Sequence, residues 1–422
     1  MNEEFLHYIW QHKLYKPELI TTDEQRIEVI HPGTKNTDGG PDFFNAKIKI
    51  GNTLWAGNVE IHYDEKEWYM HQHHLDSAYD NVILHVVQQN GSNTINSKKR
   101  EIPVCQIQIN EELRLKYQQL QFNELWIPCE HDIANVDTFT LKQWIERLLI
   151  ERLEEKNEWI EQLLIESNNN WDQVFFVLLC RSFGFGINGL PFELMARQTP
   201  FTILLKHADN PFQLEAILFG QAGFLKNELK VTYSISLKKE YDFLKTKYDL
   251  TPINNHLWKF LRLRPNNFPT IRIAQLTSVI SKSKGQFDKL LCIHDKKTLL
   301  ELLNVEPSKY WKTHYRLDIE ASSSKTKSLG KSSQLRIIYN TIIPYLFIYA
   351  VKHNNEEQKE KIIDYLYQQP PEKNAIIDKW KAVGITPESE ATAQSLIHLK
   401  SKYCKQKKCL SCHIGHEVLC KT

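Results

Sequence analysis

A chain of 422 residues, 41% hydrophobic, 25% charged and 11% aromatic, has the composition of a globular protein long enough for two domains. Its 53 basic and 51 acidic side chains leave a formal charge of only +2, which excludes a surface that is basic overall, so any polyanion site must be local. No apolar run is long enough to cross a bilayer, and MNEEFLHYIWQHK carries acids where a signal peptide carries bases, so a cytoplasmic protein without a membrane partner is expected.

Residues 2–16 read as a helix, with Phe5, Leu6, Ile9, Trp10 and Leu14 at helical spacing before Pro17. A strand follows at 26–30 and stops at His31-Pro32-Gly33. After a polar loop, Ala46, Ile48 and Ile50 alternate with Lys47 and Lys49 as a half-buried strand, Gly51-Asn52 supplies a turn, and 53–62 returns as its partner. Trp68, His71, Leu75, Ala78 and Tyr79 suit a short helix over 67–80. NVILHVV (81–87) is a buried strand, entering in parallel through that crossover, and PVCQIQI (103–109) adds another.

From about Thr138 the texture is helical. The amphipathic LKQWIERLLIERLEEKNEWIEQLLIES comes first, and further helices are expected near 171–183, 190–198, 211–219, 237–247, 270–282, 297–303, 333–351, 356–367 and 372–382. ASSSKTKSLGKSS (321–333) reads as a mobile basic loop. The expected fold class is α+β: a mixed N-terminal core in the order helix, strand, hairpin, helix, strand over 1–130, a large all-α domain over 131–400, and a cysteine-rich metal-binding tail over 401–422.

The chemistry concentrates at the ends of the hairpin. Asp42 opens its first strand and Glu60 lies near the end of its second, a pair of the kind that holds Mg²⁺ while phosphate and water fill the other positions. His62, two residues on, shares a face with Glu60 and can orient or deprotonate water. Register is the condition. With a strict two-residue loop Asp42 falls on the wrong face, whereas a three-residue loop or a single bulge brings Asp42, Glu60 and His62 together. Glu28, on the preceding strand, is a candidate third acid, and His71 and His74, three apart, are candidate helical ligands.

Pro41-Asp42, a hairpin and Glu60-Ile61-His62 resemble the PD-(D/E)xK nuclease signature, with His62 standing where that superfamily keeps a lysine. The resemblance implies a metal-dependent nuclease that hydrolyses phosphodiester bonds in DNA or RNA, with Asp42 and Glu60 on Mg²⁺ and with His74 and Tyr79 beside the substrate. The competing reading is a catalytically inactive scaffold that binds nucleic acid or protein and carries a structural metal. Over its length the chain also resembles an uncharacterised bacterial family of unknown function, through GGPDF, GNVEIH, RLRPNNFPTIRIAQL and the cysteine tail.

In WKFLRLRPNNFPTIRIAQL (258–276), Arg262, Arg264 and Arg272 around a Pro-Asn turn are candidate phosphate ligands, and Trp258 and Phe268 candidate stacking platforms. In the tail, Cys404, Cys409, Cys412 and Cys420 are separated by four, two and seven residues. Cys409-x-x-Cys412 is a chelating pair, Cys404 a third ligand, and Cys420, His413 or His416 the fourth. The occupant is Zn²⁺ or a [4Fe–4S] cluster, the thiols being favoured as thiolates by Lys405, Lys407 and Lys408.

Overall fold

The computed structural model describes residues 3–89, 94–226, 228–284 and 296–421. The chain forms two compact units, one of Met1–Glu146, Asn374–Thr386 and Leu396–Thr422, the other of Arg147–Lys373 and Pro387–Ser395. The architecture is α+β, with a sheet-rich N-terminal region and a helical region after it. The tail does not stand apart as the expected 401–422 segment, because it is tied into the sheet-bearing unit. Lys407 Nζ donates to Asn123 O at 2.7 Å, Gln121 Nε2 donates to Lys407 O at 2.9 Å, and Trp380 meets Trp126 edge to face.

The sheet-bearing unit opens with α1 (Glu3–Gln11), which buries Phe5, Leu6, Tyr8, Ile9 and Trp10. This helix ends earlier than its apolar spacing predicts. Lys13 turns left-handed (φ 53°), its N–H and that of Leu14 close on Trp10 O and Ile9 O, and Lys13 Nζ is held by Val29 O at 2.6 Å. The side-chain bond offsets the cost of a non-glycine residue in that conformation.

Strands β1 (Leu19–Ile20), β2 (Arg26–His31), β3 (Thr34–Lys35), β4 (Phe43–Ile50), β5 (Thr53–Asp64) and β6 (Val82–Gln89) follow. After the small pair β7 (Thr94–Ile95) and β8 (Glu101–Ile102) comes β9 (Val104–Gln106). The main sheet runs β1-β2-β4-β5-β6-β9, with β3 also on β4. β4 and β5 are the antiparallel hairpin, and β6 joins β5 in parallel, as the crossover predicted. β9 joins β6, also in parallel, and single bridges Thr21↔Cys105 and Tyr15↔Ile109 curl the first edge toward the last. Val82–Val87 is buried without alternation because this strand has a neighbour on each side and covered faces.

The expected helix over 67–80 is broken into α2 (Glu67–Met70) and two 3₁₀ turns, His73–Leu75 and Ser77–Tyr79. Gln72 adopts φ 62°, which stops α2, and Asp76 caps the second turn by accepting from Ala78 N at 2.9 Å. A further helix, α3 (Glu111–Phe122), is capped by Asn110.

The second unit is helical, with helices at or near every expected position, from Trp171–Phe183 to Glu356–Gln368. The expected helix over 333–351 contains a π-segment, Ile338–Ile342, which ends two residues before Pro344, a residue with no N–H to donate into the ladder. A small hairpin, His314–Arg316 with Ile319–Glu320, is absent from the sequence reading. The Ser/Lys-rich stretch is not a free basic loop: Lys327 is buried, with Nζ on Trp311 O and Lys312 O, and Leu329 is buried beside it.

The tightest backbone approach in the sheet is at Gly57. A Cβ there would lie 2.7 Å from Asn81 O, at the start of the neighbouring chain segment. Gly57→Ala is expected to destabilise the sheet-bearing unit by about 1–3 kcal/mol, because backbone cannot yield as a side chain does. Asn45→Gly, at φ 57° in β4, is expected to be neutral or slightly stabilising. Urea unfolding followed by far-ultraviolet circular dichroism measures both.

Candidate metal centre

The hairpin uses the two-residue loop, with Ile50 opposite Thr53, and holds strict register to Ala46 opposite Gly57. An extra residue then bulges from β4, with Asn45 left-handed, so that Phe43 comes opposite Val59. Asp42 therefore meets Glu60 on one face. The two residues lock reciprocally: Asp42 N–H donates to Glu60 Oε2 at 3.0 Å, and Ile61 N–H donates to Asp42 Oδ2 at 2.9 Å.

Other donors arrive from α1 and from the segment after β5. Glu3 and His7 stand one helical turn apart, and His7 Nε2 lies 3.2 Å from Asp42 Oδ2. His73 Nε2 and His62 Nε2 lie 3.4 and 3.6 Å from Glu60 Oε1. Among the described residues, three sets of donor atoms lie within 4.8 Å of one another: His62/His71/His73, Glu3/His62/Glu67 and Glu3/His7/Asp42. Glu3 and His62 each belong to two sets, so the donors form one continuous array.

His62 is oriented from behind. Its Nδ1 lies 2.9 Å from His85 Nε2, and His85 Nδ1 lies 3.0 Å from Thr94 Oγ1. If His85 donates to Thr94, His85 Nε2 accepts from His62 Nδ1–H, and His62 Nε2 keeps a lone pair. That nitrogen is buried and has no hydrogen-bond partner. His85, inside the buried strand β6, is the link that orients His62.

Burial sets the charge states. It drives the His62 imidazole down to about 2, with His85, His73 and His71 adding repulsion, and takes His73 down to about 4 and His85 to about 3. These rings are neutral at physiological pH, a state suited to ligation. The same depression makes His62 a weak proton acceptor in the metal-free protein, so its geometry favours a ligand over a base. Burial, and then Asp42, raise the Glu60 carboxyl from 4.5 to about 9.

Several sequence-derived site residues lie elsewhere. Glu28 pairs with Lys49, at the turn end of β4, far along the strand from Asp42. His74 packs on Tyr69, and the break at Gln72 brings His73, not His74, to Glu60. Tyr79 is buried, and its ring stacks on that of His73 with centroids 3.8 Å apart. Glu3, His7, Glu67 and His73 lie outside the residues that sequence spacing singles out, and Glu3-x-x-x-His7, on one face of a predicted helix, is the local signal among them.

The three arginines do not form one phosphate clamp. Arg262 and Arg264 are exposed. Arg272 is buried, bonded to Gln275 Oε1 at 2.9 Å and Asn267 Oδ1 at 2.7 Å, and stacked over Phe185 beside a cavity of about 250 Å³. Trp258 is buried, its Nε1 donating to Ala222 O, and Phe268 packs on Phe260 and Arg316, so neither is free to stack on a base.

In the tail, Cys404 is half-buried and Cys409 and Cys412 are buried, but Cys420 is exposed, with Sγ 3.7 Å from His416 Nε2. Cys412 caps the start of the helix His413–Cys420, and Cys420 ends it, about 12 Å away at 1.5 Å per residue. His413 stacks on Trp144, and His416 bonds Tyr8.

The raised Glu60 pKa has a consequence for stability. A carboxyl that ionises at 4.5 when unfolded and near 9 when folded adds stability at acid pH, and that stability is lost as pH rises between the two values. Glu60→Gln does not ionise. In chelator-treated protein the variant should match wild type near pH 4.5 and unfold at higher temperature by pH 8–9, by about 2–4 °C per kcal/mol recovered. A melting series across that range, in which wild type loses no stability relative to the variant, would falsify the assignment.

No curated protein and no solved structure matches the chain significantly. A family model described as a protein of unknown function (DUF2851) matches residues 3–375, nearly the whole length. The chain belongs to the DUF2851 family.

Proposed function

We propose that the protein is a metal-dependent, nuclease-like hydrolase of phosphodiester bonds in DNA or RNA, with Asp42 and Glu60 at its centre. The observation that carries this reading is the bulge in β4, which brings Asp42 opposite Glu60 at the edge of an array of carboxyl and imidazole donors. Paired acids on adjacent strands, followed by a residue two positions on, are also the pattern in which the segment resembles PD-(D/E)xK nucleases.

The donor chemistry bears on the metal. Asp42, Glu60 and Glu3 are oxygen donors suited to Mg²⁺, while His7, His62, His71 and His73 add nitrogen donors that favour Mn²⁺ or Zn²⁺. A bound divalent ion would supply Lewis acidity toward a phosphoryl oxygen and lower the pKa of water. The chain's own part is positioning. Ile61 N–H and His7 fix one Asp42 oxygen, Tyr79 stacking fixes the His73 plane, and the Thr94-His85 pair fixes the His62 ring. His62 in the lysine position serves this reading as a ligand, its buried neutral ring being poorly suited to carrying charge.

Purified protein incubated with Mn²⁺ or Mg²⁺ should cleave linear DNA or RNA. Asp42→Asn and Glu60→Gln should each lower the rate about 10³-fold, the equivalent of several kcal/mol of lost metal-dependent stabilisation. Cleavage that persists in both variants would move the chemistry elsewhere. Divalent-metal binding without cleavage of any polynucleotide would favour the scaffold reading.

A further inference from the structure

Along the sequence the tail donors all come from residues 404–420, but a cysteine from another part of the chain also reaches the tail. Cys129 is buried in the turn after α3, with its thiol within electrostatic reach of those of Cys409 and Cys412. Cys404 lies within the same reach of Cys129, Cys412 and Cys409. Cys420 is related to none of these and faces Tyr8 and His416.

The backbone builds this pocket from both sides. On one side, Asn123 Nδ2 donates to Pro128 O at 2.8 Å, Trp126 N–H donates to Glu130 Oε2 at 3.0 Å, and Lys400 Nζ is held by Trp126 O. On the other, Cys412 N–H closes on Cys409 O at 3.2 Å, and a Cβ on Gly415 would lie 2.2 Å from Cys409 O, so the last helix sits directly on the turn. The Cys412 sulfur is faced by the N–H groups of Ile414 and Gly415 and by the indole of Trp144. Donors of this kind stabilise a thiolate that also binds metal.

Three buried thiols and the half-buried Cys404, gathered in one pocket, are soft donors suited to a metal group. Spacing selects its kind. Tetrahedral zinc sets its sulfurs about 3.8 Å apart. Among the described residues, the sets of three donors within 4.8 Å of one another contain no cysteine. An iron–sulfur cube takes one thiolate on each of its irons and holds them wider apart.

We propose that Cys129, Cys404, Cys409 and Cys412 hold one [4Fe–4S] cluster, with Cys420 outside it. This assignment is independent of the chemistry at Asp42 and Glu60.

The test is anaerobic purification of the full chain with iron, sulfide and zinc analysis and visible spectra. Wild type and Cys420→Ser should carry about four iron and four sulfide and absorb near about 400 nm, and Cys129→Ser and Cys404→Ser should lose most of both. Circular dichroism separates loss of cluster from loss of fold, and the half-buried Cys404 gives the milder substitution. Zinc in place of iron, metal-free wild type, or a cluster lost in Cys420→Ser and retained in Cys129→Ser would each overturn the proposal.

Discussion

Two hydrogen bonds, Asp42 N–H to Glu60 and Ile61 N–H to Asp42, hold the start of one strand against the end of another, and the array around them depends on this closure. They exist because β4 carries one more residue than β5 between Ala46 and Phe43. A strand alternates faces with period two, so one extra residue moves Asp42 from the wrong face to the right one. Asn45 is the residue that absorbs this shift, in a left-handed conformation that Asn tolerates better than a branched side chain. A local backbone irregularity thus decides whether two acids eighteen positions apart share a site.

Around that pair the unit concentrates groups that resist charging. His62 and His85 are almost fully buried, and each ring faces another ring, so protonating one penalises the next. Glu60 is likewise buried beside a second acid. Buried acids and neutral imidazoles are unfavourable in water-free surroundings, and on the proposed reading a cation would turn the same groups into ligands. The thiol pocket, with softer donors, is under the same constraint.

The helical unit uses its polar groups differently. Arg272 spends its fork on Gln275 and Asn267, Lys327 is capped by two carbonyls, and buried Glu215 accepts from Tyr233 and Trp311. Arg272, which reads as a phosphate ligand along the chain, bonds neighbouring side chains once the helices pack. Gly220, where a Cβ would meet the Tyr241 ring at about 2.1 Å, is a point of tight helix packing.

The sequence by itself determined the α+β class, the order of elements, the hairpin and the acids at its ends, because period-two and period-3.6 patterns are local properties. It also set the condition on register, though not which of a longer loop or a bulge would meet it. Tertiary structure decided that choice, since the bulge is stabilised by what closes beyond it. It also decided that His73 and not His74 faces Glu60, because a single left-handed residue at Gln72 breaks the helical phase. Glu3, His7 and Cys129 join their sites across long stretches of chain, where no local spacing records the approach. Cys420 sits close to its partners in sequence yet lies a full helix away from them, because a helix converts eight residues into distance as readily as a fold removes it.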